Sequence, residues 1–225
     1  MASYLIIGAS SGIGKEIVSQ LRSENHKIWA TSRKEGLDGL IVLDPKDPAS
    51  FATIEEPLDG LVYCPGSITL KPLKSLREED FKEDFETNLL GAFRILKHYL
   101  PNLQANGGSV VLFSTVAAQL GLPFHASIAS AKGAIEGMTR SLAAELAPKI
   151  RVNAIAPSLT DTSLASKLLD TESKRKAAED RHPLKRIGQA SDIASLAVWL
   201  LSAKSQFVSG QVIAIDGGLG SIKPN

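Results

Sequence analysis

A chain of 225 residues with 44% hydrophobic content can bury one substantial core, and no charge-rich or Pro/Ser-rich stretch divides it, so a single domain over residues 1–225 is expected. The formal charge of +1, with both signs interspersed, excludes the gathered Lys/Arg excess that binding to nucleic acid requires. Cys64 is the sole cysteine, which excludes an internal disulfide and a multi-cysteine metal site; no metal is expected, and a reducing compartment suits the composition.

In chain order, the first strand is expected at Tyr4–Ile7, an apolar run far too short to span a bilayer. The residues before it lack the basic flank and cleavage site of a signal peptide, so the expectation is a soluble cytoplasmic protein with no membrane partner. Gly8-Ala9-Ser10-Ser11-Gly12-Ile13-Gly14 follows and opens a helix with Ile13, Ile17, Val18 and Leu21 on one stripe. In that strand–turn–helix context the glycines fit a diphosphate. Gly8 ends the strand, Gly12 lets the backbone approach without a Cβ, and Gly14 allows the helix to lie against the sheet. Phosphate charge then meets the positive end of the helix, with Ser10, Ser11 and Ile13 in the cradle.

The second strand, Lys27–Thr31, ends where an acidic side chain would accept from a ribose 2′-hydroxyl, and Ser32-Arg33 stand there instead. A guanidinium can clamp a 2′-phosphate, so NADP(H) is expected over NAD(H). The third strand, Ile41–Leu43, leads to Asp44, placed either to accept from the adenine amino group or to shape the turn before Pro45. The link from Ser32 to Leu40 leaves little room for a crossover helix and Pro48–Pro57 allows about two turns, so this sheet edge should be thinly covered.

A fourth strand is expected at Leu61–Tyr63, and a long helical segment from Arg77 to Leu103 with Phe81, Phe85, Leu89, Phe93 and Leu96 at helical spacing. Further strands follow at Ser109–Phe113, Arg151–Ala156 and Val212–Ile215, with a helix carrying Ile128–Leu146. This alternation predicts an α/β fold of Rossmann type: a doubly wound, seven-stranded parallel sheet with helices on both faces.

Several segments together resemble the short-chain dehydrogenase/reductase family, of the compact single-domain type, from Gly8 to Gly218. The glycine turn reads as its G-x-x-x-G-x-G, and Asn88-Leu89-Leu90-Gly91 as its N-x-x-G. Val110-Val111-Leu112-Phe113-Ser114-Thr115 resembles the strand leading to its catalytic serine, and Arg151 to Pro157 the strand before its nicotinamide turn. His182-Pro183-Leu184-Lys185-Arg186-Ile187-Gly188, Asp192-Ile193-Ala194, Ser209-Gly210-Gln211 and Asp216-Gly217-Gly218 resemble its closing portion. The resemblance implies that Cys64, Pro65 and Gly66 line the adenosine ribose. It also implies that Pro157, Ser158, Thr160 and Thr162 wrap the nicotinamide, and that residues 163–182 form a lid over a small-molecule substrate. Homodimers or homotetramers are implied as well.

Three departures bear on chemistry. The family's N-N-A-G is Tyr63-Cys64-Pro65-Gly66 here, the serine position falls on Thr115 beside Ser114, and its Y-x-x-x-K reads Ile128-Ala129-Ser130-Ala131-Lys132. Residues four apart share a helical face, so the family lysine lowers the pKa of the tyrosine and holds the nicotinamide ribose. Isoleucine can neither give nor take a proton, and losing a positioned donor costs about 10² to 10⁴ in rate. Lys132, Thr115 and Asn88 are the catalytic candidates. His125, whose side-chain type titrates near neutrality, and Ser114 are further ones, Tyr63 a weaker one. For Asn88 the resemblance implies the holding of a water by breaking its helix, while by itself it reads equally as a polar residue that satisfies backbone groups. In the segment from Ser163 to Arg181, Lys174, Arg175 and Lys176 are balanced by Asp170, Glu172, Glu179 and Asp180, which reads as a solvated face. Two functions follow: an NADPH-dependent oxidoreductase with a modified proton relay, or an NADP(H)-binding protein that acts as a sensor or structural partner without turnover. A third reading takes Ile128 as a neutral or engineered substitution in an ordinary reductase.

Overall fold

The structure, a computed structural model, describes residues 1–223. Of the tail Leu219–Asn225, expected to contribute to self-association, Pro224 and Asn225 lie outside the described residues. All seven expected strands form, each end within one residue of its expected place: β1 (Ser3–Ile7), β2 (Lys27–Ser32), β3 (Ile41–Val42), β4 (Gly60–Tyr63), β5 (Ser109–Phe113), β6 (Arg151–Pro157) and, at the far edge, Val212–Ile215. They pair in parallel in the order β3-β2-β1-β4-β5-β6 and then the last strand. Leu5 sits opposite both Trp29 and Leu61, which fixes the centre of the sheet.

Strand periodicity divides the core in two. Leu5 and Ile7 pack into one cluster with Ile95, Tyr99, Leu103 and Ile135; Tyr4 and Ile6 pack into the other with Ile17, Leu21, Ile193 and Leu200. The first face is therefore covered by α3 (Gly91–Asn106) and α4 (Ala126–Leu146), the second by α1 (Gly12–Ser23) and the helix Ala190–Leu201. From β1 the chain goes to β2 and β3 on one side, then crosses back to β4 on the other. The crevice at this switch point opens above the carboxyl ends of both strands. The expected thin edge is present: residues 33–40 carry no helix, and the following link holds only a 3-10 turn at Pro48–Ser50.

Two features differ from the sequence reading. A second, two-stranded parallel ladder joins β7 (Thr160–Asp161) to β8 (Gly188–Gln189), so the far strand of the main sheet becomes β9. The segment between these short strands holds a 3-10 turn, Ser163–Leu168, and α5 (Glu172–Arg181); the helix Ala190–Leu201 is then α6. The segment expected as one helix from Arg77 to Leu103 is interrupted. α2 (Glu78–Phe85) passes through a π-helical turn at Glu86–Leu90 before α3 begins. Each residue in a π turn advances the helix by less than 100°, so the interruption rotates one half against the other. The inward stripe becomes Asp84, Asn88, Gly91, Ala92, Ile95, Leu96 and Tyr99, while Phe93 is 47% exposed and Phe81, Phe85 and Leu89 are only partly buried.

Candidate functional site

The crevice is a cleft of about 550 Å³. Its floor is the glycine turn. Gly8 and Gly12 have φ of +80° and +54°, a region L side chains rarely adopt, and a Cβ on Gly14 would lie 2.3 Å from the Gly8 carbonyl oxygen. α1 starts at this floor with Ser11 as a cap that makes no side-chain bond and with no acidic residue in its first turn. Its leading N–H groups and the positive end of its dipole therefore face the cleft uncompensated.

The walls come from the strand ends. Ser32, Arg33 and Lys34 follow β2, Asp44 follows β3, Cys64, Pro65 and Gly66 follow β4, and Thr162 to Leu164 close the opposite side. Ser32 accepts from the Lys34 amide, which keeps its own proton available at the rim. Asp44 accepts from the Lys46 amide at 2.9 Å and so shapes the turn while still lining the cleft. The Pro65 ring lies over Gly8, which accounts for proline in that loop: a Cβ on Gly8 would meet it at 3.1 Å.

The turn after β6 is built differently. Pro157, Ser158 and Thr160 do not line this cleft; Thr160 is buried and donates to the Ser158 carbonyl. Ser158 borders a neighbouring cavity of about 410 Å³, and its hydroxyl meets Nε2 of the buried His182 at 2.9 Å. Thr162 alone of the four reaches the cleft, its methyl packed against Gly12. In α5 the charges pair with one another, Lys174 with Asp170 and Lys176 with Asp180, while Arg175 binds Asp161 and ties the helix to β7.

The inner end of the cleft is closed by Gly66, and behind it α4 presents Lys132. Its ammonium is buried and donates to the Phe113 carbonyl at 2.8 Å. Burial lowers its pKa to about 8, against the opposing influence of Cys64 and Asp84. Desolvation pushes the thiol of half-buried Cys64 up to about 12. Ile128, one turn before Lys132, is 5% exposed and offers no polar atom. Ser114 and Thr115 diverge as they leave β5: Ser114 turns into α4 and donates to Glu136, whereas Thr115 stays partly exposed and caps the next turn beside the Pro157 carbonyl. His125, expected in a loop, is the residue from which α4 starts; its main-chain oxygen accepts from Ala129 and its Nδ1 lies 2.7 Å from the Pro123 carbonyl. Its neighbour Phe124 has φ of +70° and is 58% exposed.

Tyr63 does not reach the inner end. Its hydroxyl donates to the Thr87 carbonyl inside the π turn, and burial raises its pKa. A Cβ on Gly91 would come within 2.3 Å of that hydroxyl, which explains the glycine three residues after Asn88. Asn88 is buried in the same turn; its amide nitrogen donates to the Asp84 main-chain oxygen and to Ser67 Oγ. Sequence reasoning missed Asp84, Ser67 and Thr69, which converge beneath it, and Lys34 at the rim. The available signal was an aspartate four residues before Asn88, between two phenylalanines, where an apolar residue would continue the stripe. Among the described residues, no group of His, Cys, Asp and Glu could hold a metal ion, and no helix is long and apolar enough to cross a membrane.

Comparison with known proteins agrees with this geometry. A family model described as enoyl-(acyl carrier protein) reductase matches residues 49–220. The chain is 34% identical to a 3-oxoacyl-[acyl-carrier-protein] reductase of Thermotoga maritima, over 96% of both chains. It is 39% identical to a tropinone reductase homolog of Arabidopsis thaliana, over 96% of this chain and 91% of that one. Among solved structures, a gluconate 5-dehydrogenase from Burkholderia cenocepacia in complex with NADP and tartrate superimposes with a TM-score of 0.90 at 26% identity, covering 99% of this chain and 96% of the other.

Proposed function

The chain belongs to the short-chain dehydrogenase/reductase family, and from that premise we propose that it is an NADP(H)-dependent oxidoreductase with an altered proton-delivery site, acting on a carbonyl or an activated double bond of a small molecule. One observation carries the cofactor assignment: a floor that admits no Cβ at Gly14, beneath an uncapped helix start, with Arg33 and not a carboxylate following β2. The residues fit the dinucleotide. Main-chain amides from Ser10 to Gly14 hold the diphosphate, Arg33, Ser32 and Lys34 hold the 2′-phosphate, and Asp44 with the Cys64–Gly66 loop borders the adenosine. Lys132 binds the nicotinamide ribose. Pro157, Ser158, Thr160 and Thr162 form the turn beside the carboxamide, with residues 163–182 as the cover. Bound NADPH supplies a hydride.

What this chain adds is polarisation and a proton. The Thr115 hydroxyl donates to the oxygen that gains electron density. Lys132, with a pKa lowered to about 8 by burial, is an ammonium at neutral pH that releases its proton more readily than an exposed lysine, directly or through water. Ile128 leaves this role to it, because no phenol stands between the ammonium and the substrate. His125 is a secondary candidate; with its Nδ1 hydrogen held by the Pro123 carbonyl, Nε2 is an acceptor in the neutral ring and donates only from the imidazolium. Leu90 and Phe93, 40% and 47% exposed, give the π turn and α3 an apolar outer face that supports self-association as a dimer or tetramer. Calorimetry tests the assignment: NADPH is expected to bind at least about tenfold more tightly than NADH, and absence of heat for both overturns it.

A further inference from the structure

Asp84 is wholly buried, yet it stands on the inward stripe of a helix where packing alone calls for an apolar side chain. Its Oδ1 accepts from Ser67 at 2.6 Å and from Thr69 at 2.9 Å, while Oδ2 has no partner among the described residues. The Ser67 hydroxyl spends its proton on this carboxylate and so accepts from Asn88 Nδ2 at 2.8 Å. Asn88 cannot be turned the other way. The same nitrogen lies 2.7 Å from the Asp84 main-chain oxygen, a position only a donor can occupy. Its amide oxygen, buried and without a partner in the protein, therefore faces the other side, over Gly66. A Cβ on Gly66 would lie 3.4 Å from that oxygen and 3.6 Å from Lys132 Nζ, so the two border one small polar notch.

We propose that Asp84 is a positioning residue: through Ser67 it holds the Asn88 amide with its oxygen over Gly66, in the notch that Lys132 also borders, and its charge acts on the Lys132 ammonium. The ammonium has three donors and one protein acceptor, the Phe113 carbonyl; the notch supplies polar surroundings for the others. The titratable groups around it are Cys64 at the end of β4 and Asp84 on α2. β5 presents only the Phe113 carbonyl, and Glu136, one turn further along α4, is engaged by Ser114 and Gln119. Asp84 is thus the carboxylate built into the surroundings of Lys132. The proposal rests on Lys132 as the group that serves the reaction.

The test uses the whole chain without cofactor, following Lys132 by side-chain NMR across pH. Asp84→Asn keeps the shape and removes the charge, and is expected to lower the Lys132 midpoint by about one unit. Ser67→Ala keeps the charge and removes the bridge. It is expected to leave that midpoint nearly in place while Asn88 side-chain amide exchange accelerates about tenfold or more. A purely structural Asp84 would lower the melting temperature without moving a lysine titration. An unchanged Lys132 midpoint in Asp84→Asn overturns the charge role, and unchanged Asn88 exchange in Ser67→Ala overturns the bridge. If Asp84→Asn does not fold, the Ser67→Ala result decides alone. Because no nucleotide enters these measurements, their failure stands apart from failure of NADPH to bind.

Discussion

The two ends of the cleft are built from different materials. The outer end is made of backbone: three glycines, the first turn of α1 and a proline ring packed over Gly8. Behind the inner end stand side chains brought from four elements, with Lys132 from α4, Thr115 from the end of β5, Asn88 from the π turn and Asp84 from α2. A backbone cradle tolerates almost no change, because a Cβ at Gly14 would overlap a carbonyl oxygen. A side-chain constellation can lose its phenol and keep its lysine, provided other groups hold the charge.

Breaking the outer end should have the largest effect. Gly14→Ala drives a methyl into the Gly8 carbonyl, and the expected outcome is loss of measurable NADPH binding with a destabilisation of about 2–4 kcal/mol in denaturant melts. A wild-type isotherm would show that the turn is not the cradle.

Lys132→Met sharpens the comparison, since it should separate function from stability. Reduction is expected to fall by about 10² to 10⁴. The lysine's folded pKa, about 8, lies below its ordinary value of 10.5, so between those limits the unfolded chain binds the proton more tightly and native stability rises with pH. Burial of the ammonium thus costs stability below about pH 8, and the methionine variant should melt higher at pH 7 than the parent, with the gain shrinking toward pH 10.5. In the parent, reduction should decline as pH rises past about 8; a flat profile to pH 9.5 removes Lys132 as the donor.

Ile128→Tyr restores a phenol one turn from Lys132 and is expected to raise NADPH-dependent carbonyl reduction about tenfold or more. No gain across a broad panel of carbonyl and enone substrates counts against the enzyme reading and toward binding without turnover. The smallest effect is at the rim: Arg33→Ala should weaken NADPH by about tenfold and leave NADH nearly unchanged, and equal losses for both nucleotides would mean that the guanidinium does not meet the 2′-phosphate.

The outer end and the sheet were legible in the amino-acid order because their causes are local. A β-branched run has period two wherever it lies, and a glycine triplet between strand and helix has one geometric use. Even the thin cover over β2 and β3 followed from the length of the links. Legibility failed at the π turn. Phe81, Phe85, Leu89 and Phe93 stand at helical spacing, but one irregular turn rotates the axis and puts Asp84 and Asn88 inward instead. Ser114 and Thr115 could be separated only once the neighbours of each hydroxyl were known, Glu136 for one and the Pro157 carbonyl with the Ala117 amide for the other. The partner of the Ser158 hydroxyl was equally hidden, since it is His182, 24 residues later in the chain.

The sequence by itself determined the doubly wound sheet, the glycine cradle and the absence of a phenol before Lys132, because each depends on residues adjacent in the chain and on the stereochemistry of the backbone. Only the tertiary structure decided that Lys132 is buried against the Phe113 carbonyl, that Asp84 and Ser67 stand beneath Asn88, and that Ser158 faces His182. Those contacts join residues far apart in sequence, and burial sets the charge and orientation of a side chain, which no local pattern encodes.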